Sequence, residues 1–368
     1  RMFDPRVASW RAHRQGLIGE PKAKTAREAL EWHGWSRSVG GGNPYVAIWA
    51  RTGLTREAVD AELAATEIQE VQAARGCTYV VGQQDFGVAC RVAQGFADAS
   101  AMRSAKNKLG VTEQEIEVLQ EKVLDALNAG PRDPKELKTT LGDAVRNFGD
   151  EGKKLGTTST LPLALGFLQT AGRIRRVPVN GRLDNERYRY ARWEPPVTLP
   201  DREAAIQELV ECYFSWACPA TEAGLRGWSG LPLRDLKPAL ESLDLVETEA
   251  GLVLASDRDA FEAWRRPTDQ DVRYLGSLDN LSHLAWQFGH LVEAEHGAHP
   301  IWKELGIRGT TLADSPSHFV TDRGQVIGLW EFDPDRGEVV DFLFVPATGA
   351  IKSAREGTAA MIRETLGD

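Results

Sequence analysis

Apolar residues recur at helical spacing along most of the chain and alternate at strand spacing in several short stretches, and these two periods divide it into elements. Residues 8–17, 25–32, 44–50 and 55–65 read as helices; Pro44 suits a first helical position, and Thr55 with Glu57 marks a start. Strand patterns follow at 68–71 and 77–81 across a turn holding Arg75 and Gly76, and 83–95 reads as a closing helix. A similar order then recurs. Residues 112–127 carry Ile116, Leu119, Val123, Leu124 and Leu127 on one stripe after a capping-box start at Thr112 and Glu115. Asp133 caps a helix at 135–145, and 161–172 is a third, strongly apolar one. It leads into Arg173, Arg175 and Arg176, then an Asn180-Gly181 turn and the run 187–193, which together predict a hairpin. Arg187 and Arg189, with Arg182 further out, share one face of that hairpin; Tyr188, Tyr190 and Val179 share the other.

Pro195 and Pro196 mark a linker, after which the order repeats once more. Helices are expected at 201–217, from Thr221 and Glu222, and at 233–243, with strands at 245–248 and 252–255 around a small acidic turn. The remainder begins with a helix at 260–264 and a strand-like run at 274–281. It continues with a hairpin at 317–333 turning at 322–324, a strand within 337–345 and a final helix at 353–366. The expected fold class is α+β, with tandem winged-helix domains followed by a β-rich C-terminal domain. The expected divisions are 1–102, with a glycine-rich loop; 103–198, with a basic wing; 199–257; and 258–368.

A length of 368 residues fits two or three domains at about 150 residues each. A hydrophobic content of 42% and a charged content of 26% are those of a globular chain with a large core. No apolar run approaches the roughly 18 residues of a membrane span and no signal peptide is recognised, so a cytoplasmic location is expected. The net charge of −9 argues against nucleic acid until it is divided along the chain. Residues 1–200 hold 29 basic and 24 acidic side chains, net +5; residues 201–368 hold 15 and 29, net −14. Residues 173–192 alone carry seven arginines against Asp184 and Glu186. Such a local field holds phosphate even on an anionic protein, so double-stranded DNA is the expected partner and Arg173, Arg175, Arg176, Arg182, Arg187 and Arg189 the expected contacts. The plainer alternative is a hairpin whose arginines only solvate its outer face.

Cys77, Cys90, Cys212 and Cys218 are too dispersed for a zinc site or disulfide frame and read as reduced thiols. His283, His290, His296 and His299 cluster in sequence without a metal-ligand spacing, so no metal and no cofactor are expected. The stretch 34–43, GWSRSVGGGN, joins two helices through three consecutive glycines. It lacks the Lys-Ser or Lys-Thr of a phosphate loop; it reads either as a place where backbone approaches a ligand or as a flexible connection.

The three helix-and-hairpin units, RGCTYVV at 75–81 and LGSLDNL at 275–281 resemble the bacterial winged-helix family that contains the DNA glycosylases AlkZ and YcaQ, over nearly the whole chain. The resemblance implies a basic channel for duplex DNA, worked by a monomer, and excision of alkylated or crosslinked bases by N-glycosidic hydrolysis. That chemistry needs a stabilised oxocarbenium-like sugar and a positioned water, which calls for carboxylate or carboxamide groups near the anomeric carbon. The family's Gln-x-Gln or Gln-x-Asp motif falls at Ser36-Arg37-Ser38, where this chain departs from it. A serine hydroxyl can orient water but is no carboxylate base.

By the same resemblance Ser36, Ser38 and Asp279 are candidate catalytic residues, and Arg37, Arg51 and Arg75 candidate DNA contacts. Asp279 equally suits a helix N-cap ahead of an amphipathic helix at 281–291, Arg51 could pair with a carboxylate, and Arg75 could simply be an exposed turn residue. Three functions stay open: a glycosylase with an altered reacting centre, a non-catalytic relative that binds DNA or a lesion, and a scaffold for protein partners.

Overall fold

Side-chain caps set several helix starts in the computed structural model, which describes residues 3–39, 41–285, 288–307 and 317–367. Asp4 starts helix Pro5–Arg14, Thr25 starts Ala26–His33 and Thr55 starts Arg56–Ala64; each side-chain oxygen accepts from a first-turn backbone N–H. Helix Asn43–Thr52 has Pro44 in its first turn and ends at Gly53, whose φ of 73° suits the left-handed closure of a helix. Strands β1 (Ser36–Arg37), β2 (Ile68–Gln72) and β3 (Thr78–Gly82) form an antiparallel sheet in the order β1-β3-β2. β2 and β3 follow their sequence patterns, whereas β1 lies inside the stretch read as a loop. Two residues carry no legible period, and only the pairing of Ser36 with Val80 and of Arg37 with Tyr79 defines it.

Helix Ala97–Leu109, absent from the sequence reading, spans the expected 102/103 division. Helices Glu113–Leu127, Pro134–Leu141, Gly149–Lys154 and Leu161–Thr170 follow, then strands β4 (Ile174–Pro178) and β5 (Tyr188–Arg192) as an antiparallel pair. Only half of the expected capping box forms at Thr112. Its hydroxyl accepts from Glu115 N, but the Glu115 carboxylate pairs with Arg146 at 2.9 Å; the complete box is that of Asp133 and Glu136. The hairpin also differs from a tight Asn-Gly turn. Gly181 does take a φ of 74°, yet the strands are joined by residues 179–187, and Leu183 within that connection is 2% exposed, packed among first-unit residues. Its backbone N–H donates to Tyr45 Oη at 2.7 Å. Side-chain burial of this size stabilises by about 1.5–3 kcal/mol and anchors the loop to the first unit.

The third repeat has helices Arg202–Ala217, Glu222–Ser229 and Leu233–Ser242 and the strand pair β6 (Leu245–Thr248) and β7 (Gly251–Leu254). Strands β8 (Val272–Leu275), β9 (His318–Asp322), β10 (Gln325–Asp333) and β11 (Glu338–Leu343) form one antiparallel sheet in the order β11-β10-β9-β8, accompanied by helix Gly349–Met361. The chain is α+β, as expected. The amphipathic helix expected at 281–291 is instead a short one, Asn280–His283, with a further turn of helix at 288–290. Residues 113–127 and 161–174 share a core with Tyr190, while Trp35, Tyr79, Trp216 and Trp228 join the first and third units in another. Among the described residues no helix is long and apolar enough to cross a membrane.

Candidate functional site

In the β1-β3-β2 sheet, Ser36 stands level with Val80 and, across β3, with Glu70. Side chains two residues apart share a face of a strand, so Ser36 and Ser38 point to the same side as Glu70. The Glu70 side chain leans across β3, and Ser38 Oγ donates to Glu70 Oε2 at 2.6 Å. Ser36 is 4% exposed, and among the described residues its hydroxyl has no hydrogen-bond partner. A buried hydroxyl without a partner is costly enough to mark a place where water or substrate belongs.

The other oxygen of Glu70 faces the second unit. Arg176 of β4 donates to Glu70 Oε1 at 3.4 Å, while its Nε donates to Gln169 Oε1 at 3.0 Å and its guanidinium lies 4.5 Å from the Tyr188 ring centroid. Gln69 Nε2 donates to the Arg176 carbonyl at 2.7 Å, tying β2 to β4. The cationic hairpin thus sits against the β2 edge of the sheet, while the serines lie on β1 at the other edge. Its preceding helix, Leu161–Thr170, buries Leu161, Leu163, Ala164, Leu165 and Leu168 and presents Gln169 toward Arg176, so its apolar face serves packing.

β1 is fixed from both ends. Before it, Trp35 Nε1 donates to the buried Asp85 carboxylate at 2.8 Å. After it, Asn43 Nδ2 donates to Arg37 O at 2.9 Å, and Gly276 packs so closely on Asn43 that a Cβ there would lie 2.3 Å from Oδ1. The 275–281 motif therefore contacts the exit of β1. In the glycine run, Gly40 lies outside the described residues; a Cβ on Gly41 would meet open space, and one on Gly42 would come within 3.2 Å of Leu366.

Asp279 is not joined to the serines. It is 1% exposed, both of its oxygens accept from Arg51 at 2.8 and 2.9 Å, and Oδ1 also accepts from Leu281 N at the start of the Asn280–His283 helix. Arg51, 4% exposed, also donates to Gln15 Oε1 and Ala47 O; it is a buried ion-pair partner of Asp279 and offers DNA no surface. Both corrections have one cause: the partners are far apart in sequence, so neither side chain shows which use it serves.

The other arginines divide by exposure. Arg187 and Arg189 are exposed on the hairpin, Arg189 with Glu136 3.8 Å away. Arg173 is half-buried. Arg175 lies 5.8 Å from the Trp193 ring centroid, and burial lowers its pKa from the ordinary arginine value. Arg182 is taken by Asp184 through bonds of 2.9 and 2.6 Å, so it belongs to the loop's own framework, not the cationic strand face. Arg37 donates to Thr78 O at 2.9 Å beside the Tyr79 ring. Arg75, at φ 57°, is half-buried and packs against Gly230 of the third unit.

His283 meets Tyr79 Oη through Nε2 at 3.1 Å, and His296 stacks on Phe344. Among the described residues no three His, Cys, Asp or Glu side chains are grouped to hold a metal. The cysteines are free; burial pushes the Cys90 thiol up to about 12 and the Cys218 thiol up to about 11. Sequence reasoning missed Glu70. The signal was faint: an acidic residue on the same strand face as buried Ile68, where a solvated residue was not required.

A family model described as DNA glycosylase AlkZ-like matches residues 37–361. Among solved structures, the Streptomyces sahachiroi DNA glycosylase AlkZ is similar at a TM-score of 0.73 and 20% sequence identity, over 99% of this chain and 96% of that chain; this likeness speaks for the fold. No curated protein matches.

Proposed function

The chain belongs to the AlkZ-like DNA glycosylase family, and from that premise we propose that it hydrolyses the N-glycosidic bond of alkylated or crosslinked bases in duplex DNA, acting as a monomer. Ser36 and Ser38 stand at the reacting centre. Arg187 and Arg189 neutralise phosphates directly, while Arg37, Arg75, Arg173, Arg175 and Arg176 supply positive potential around the sheet. Asp279 acts through the fold, holding Arg51 and the chain that packs on Asn43. The three helix-and-hairpin units are read as winged helices, and 258–368 as the β-rich part.

One observation carries this proposal: the buried Ser36 hydroxyl, unpartnered among the described residues, and the Ser38 hydroxyl occupy one strand face of a sheet whose opposite edge meets the cationic hairpin. Phosphate contacts would position the duplex there, and the serines would orient water at the sugar of the damaged nucleotide. An N-alkylated purine leaves as a neutral base, so expulsion of the base itself demands no acid.

A second reading, binding without excision, is favoured by the absence of an amide or carboxylate at positions 36 and 38. Single-turnover incubation of excess protein with duplexes carrying 7-methylguanine, 3-methyladenine or an interstrand crosslink separates the two. Alkali-labile abasic sites are expected; tight, salt-sensitive binding without them would establish the binding-only relative, and neither result would leave a protein scaffold.

A further inference from the structure

We propose that Glu70, on the strand two places from β1 in the sheet, is the general base that the serines cannot provide; this rests on the glycosylase proposal above. The Ser38 hydroxyl donates to one Glu70 oxygen at 2.6 Å and Arg176 to the other at 3.4 Å, so the carboxylate is held from both sides of the boundary between the first unit and the cationic hairpin. Its side chain is 18% exposed and that of Arg176 21%, so the carboxylate is open to water. The unpartnered Ser36 hydroxyl stands in the same row across the sheet. Val80, fully buried, fills the place between Ser36 and Glu70 in that row, so the water belongs at the open side of Glu70, where the Ser38 oxygen would orient it and the carboxylate would receive its proton.

The step balances without a cofactor. The water oxygen bonds to C1′ of the deoxyribose as the C1′–N bond breaks and its electron pair departs with the base. One water proton passes to a Glu70 oxygen and from there to solvent, leaving an abasic site. Ser38 shares the carboxylate and orients it. Arg176, fixed by Gln169 and the Tyr188 ring, is a positioning residue that makes the geometry depend on the hairpin.

The test uses the full chain and a duplex containing 7-methylguanine under single-turnover conditions. Glu70→Gln should lower the rate of abasic-site formation on the order of 10²–10⁴-fold, the usual contribution of a general base, with duplex affinity and melting temperature close to wild type. Glu70→Ala should recover part of the rate when formate is added, a response that a purely structural role would not produce. Ser38→Ala should lose less rate than Glu70→Gln. A Glu70→Gln rate within about threefold of wild type, or a slow Glu70→Ala enzyme unmoved by formate, would overturn the role of Glu70 while leaving the glycosylase proposal standing. A wild-type protein that forms no abasic sites on this duplex or on the other lesions would overturn both.

Discussion

Asp85 has a buried carboxylate that accepts from the Trp35 indole, and burial is the main reason its pKa is raised to about 6; Glu31 and Glu208 push it the same way while Trp35 opposes. The sign follows from proton counting. Between the unfolded value near 4 and the folded value near 6 the native state holds more protons, so stability falls as pH rises through that window. Asp85→Asn keeps an acceptor for Trp35 and removes the ionisation. Urea denaturation should show it more stable than wild type by about 1–3 kcal/mol at pH 8 and little different near pH 4. An unchanged difference across that range would mean that Asp85 titrates alike in the folded and unfolded protein. Side chains of this kind mark how far the sequence is legible. Asp279 could be named as a cap from its neighbours, but its pairing with Arg51 joins residues far apart in the chain and only the fold reveals it. Glu70 was harder still, because its role comes from leaning across β3 to a hydroxyl on β1.

Elements with a full period were readable. The hairpins β2-β3, β6-β7 and β9-β10 all follow from alternating apolar residues with polar or glycine turns, and the helix starts at Thr55, Thr112 and Asp133 from their side-chain oxygens. β1 had no period to read, and helix Ala97–Leu109 has a weak apolar stripe in which Met102 and Ala105 carry the burial. The basic hairpin was legible as a charged, aromatic strand pair, whereas the Asn180-Gly181 signal was local and the connection continues to Arg187 because Leu183 has a core to enter. Its exposed arginines should act additively on phosphates. Arg187→Ala with Arg189→Ala should weaken duplex binding equally across sequences and reduce the slope of log affinity against log salt by about 2, at roughly 0.9 per phosphate contact. An unchanged slope in a binding titration would remove the hairpin tip from the interface, and Glu136, 3.8 Å from Arg189, would be the reason on that side.

At the scale of the whole molecule, four successive segments do not mean four separate cores. Trp35 and Tyr79 of the first unit pack with Trp216 and Trp228 of the third, and Val46 packs with the β8–β11 sheet, so these parts share their stability. Helices Glu113–Leu127 and Leu161–Thr170 instead enclose a core together with Ile174 and Tyr190 of the hairpin. Leu124, 2% exposed there, should cost about 2–5 kcal/mol on replacement by alanine, because its neighbours close the resulting cavity only in part. Native-state hydrogen exchange should show faster opening in those two helices, with β8–β11 little changed. Acceleration of both regions to the same extent would mean one cooperative core. The expected pattern has a consequence for chemistry: Arg176 belongs to the part that opens and Glu70 to the part that does not, so Leu124→Ala should slow abasic-site formation by loosening Arg176 from Glu70 while leaving Ser38 and Glu70 in place.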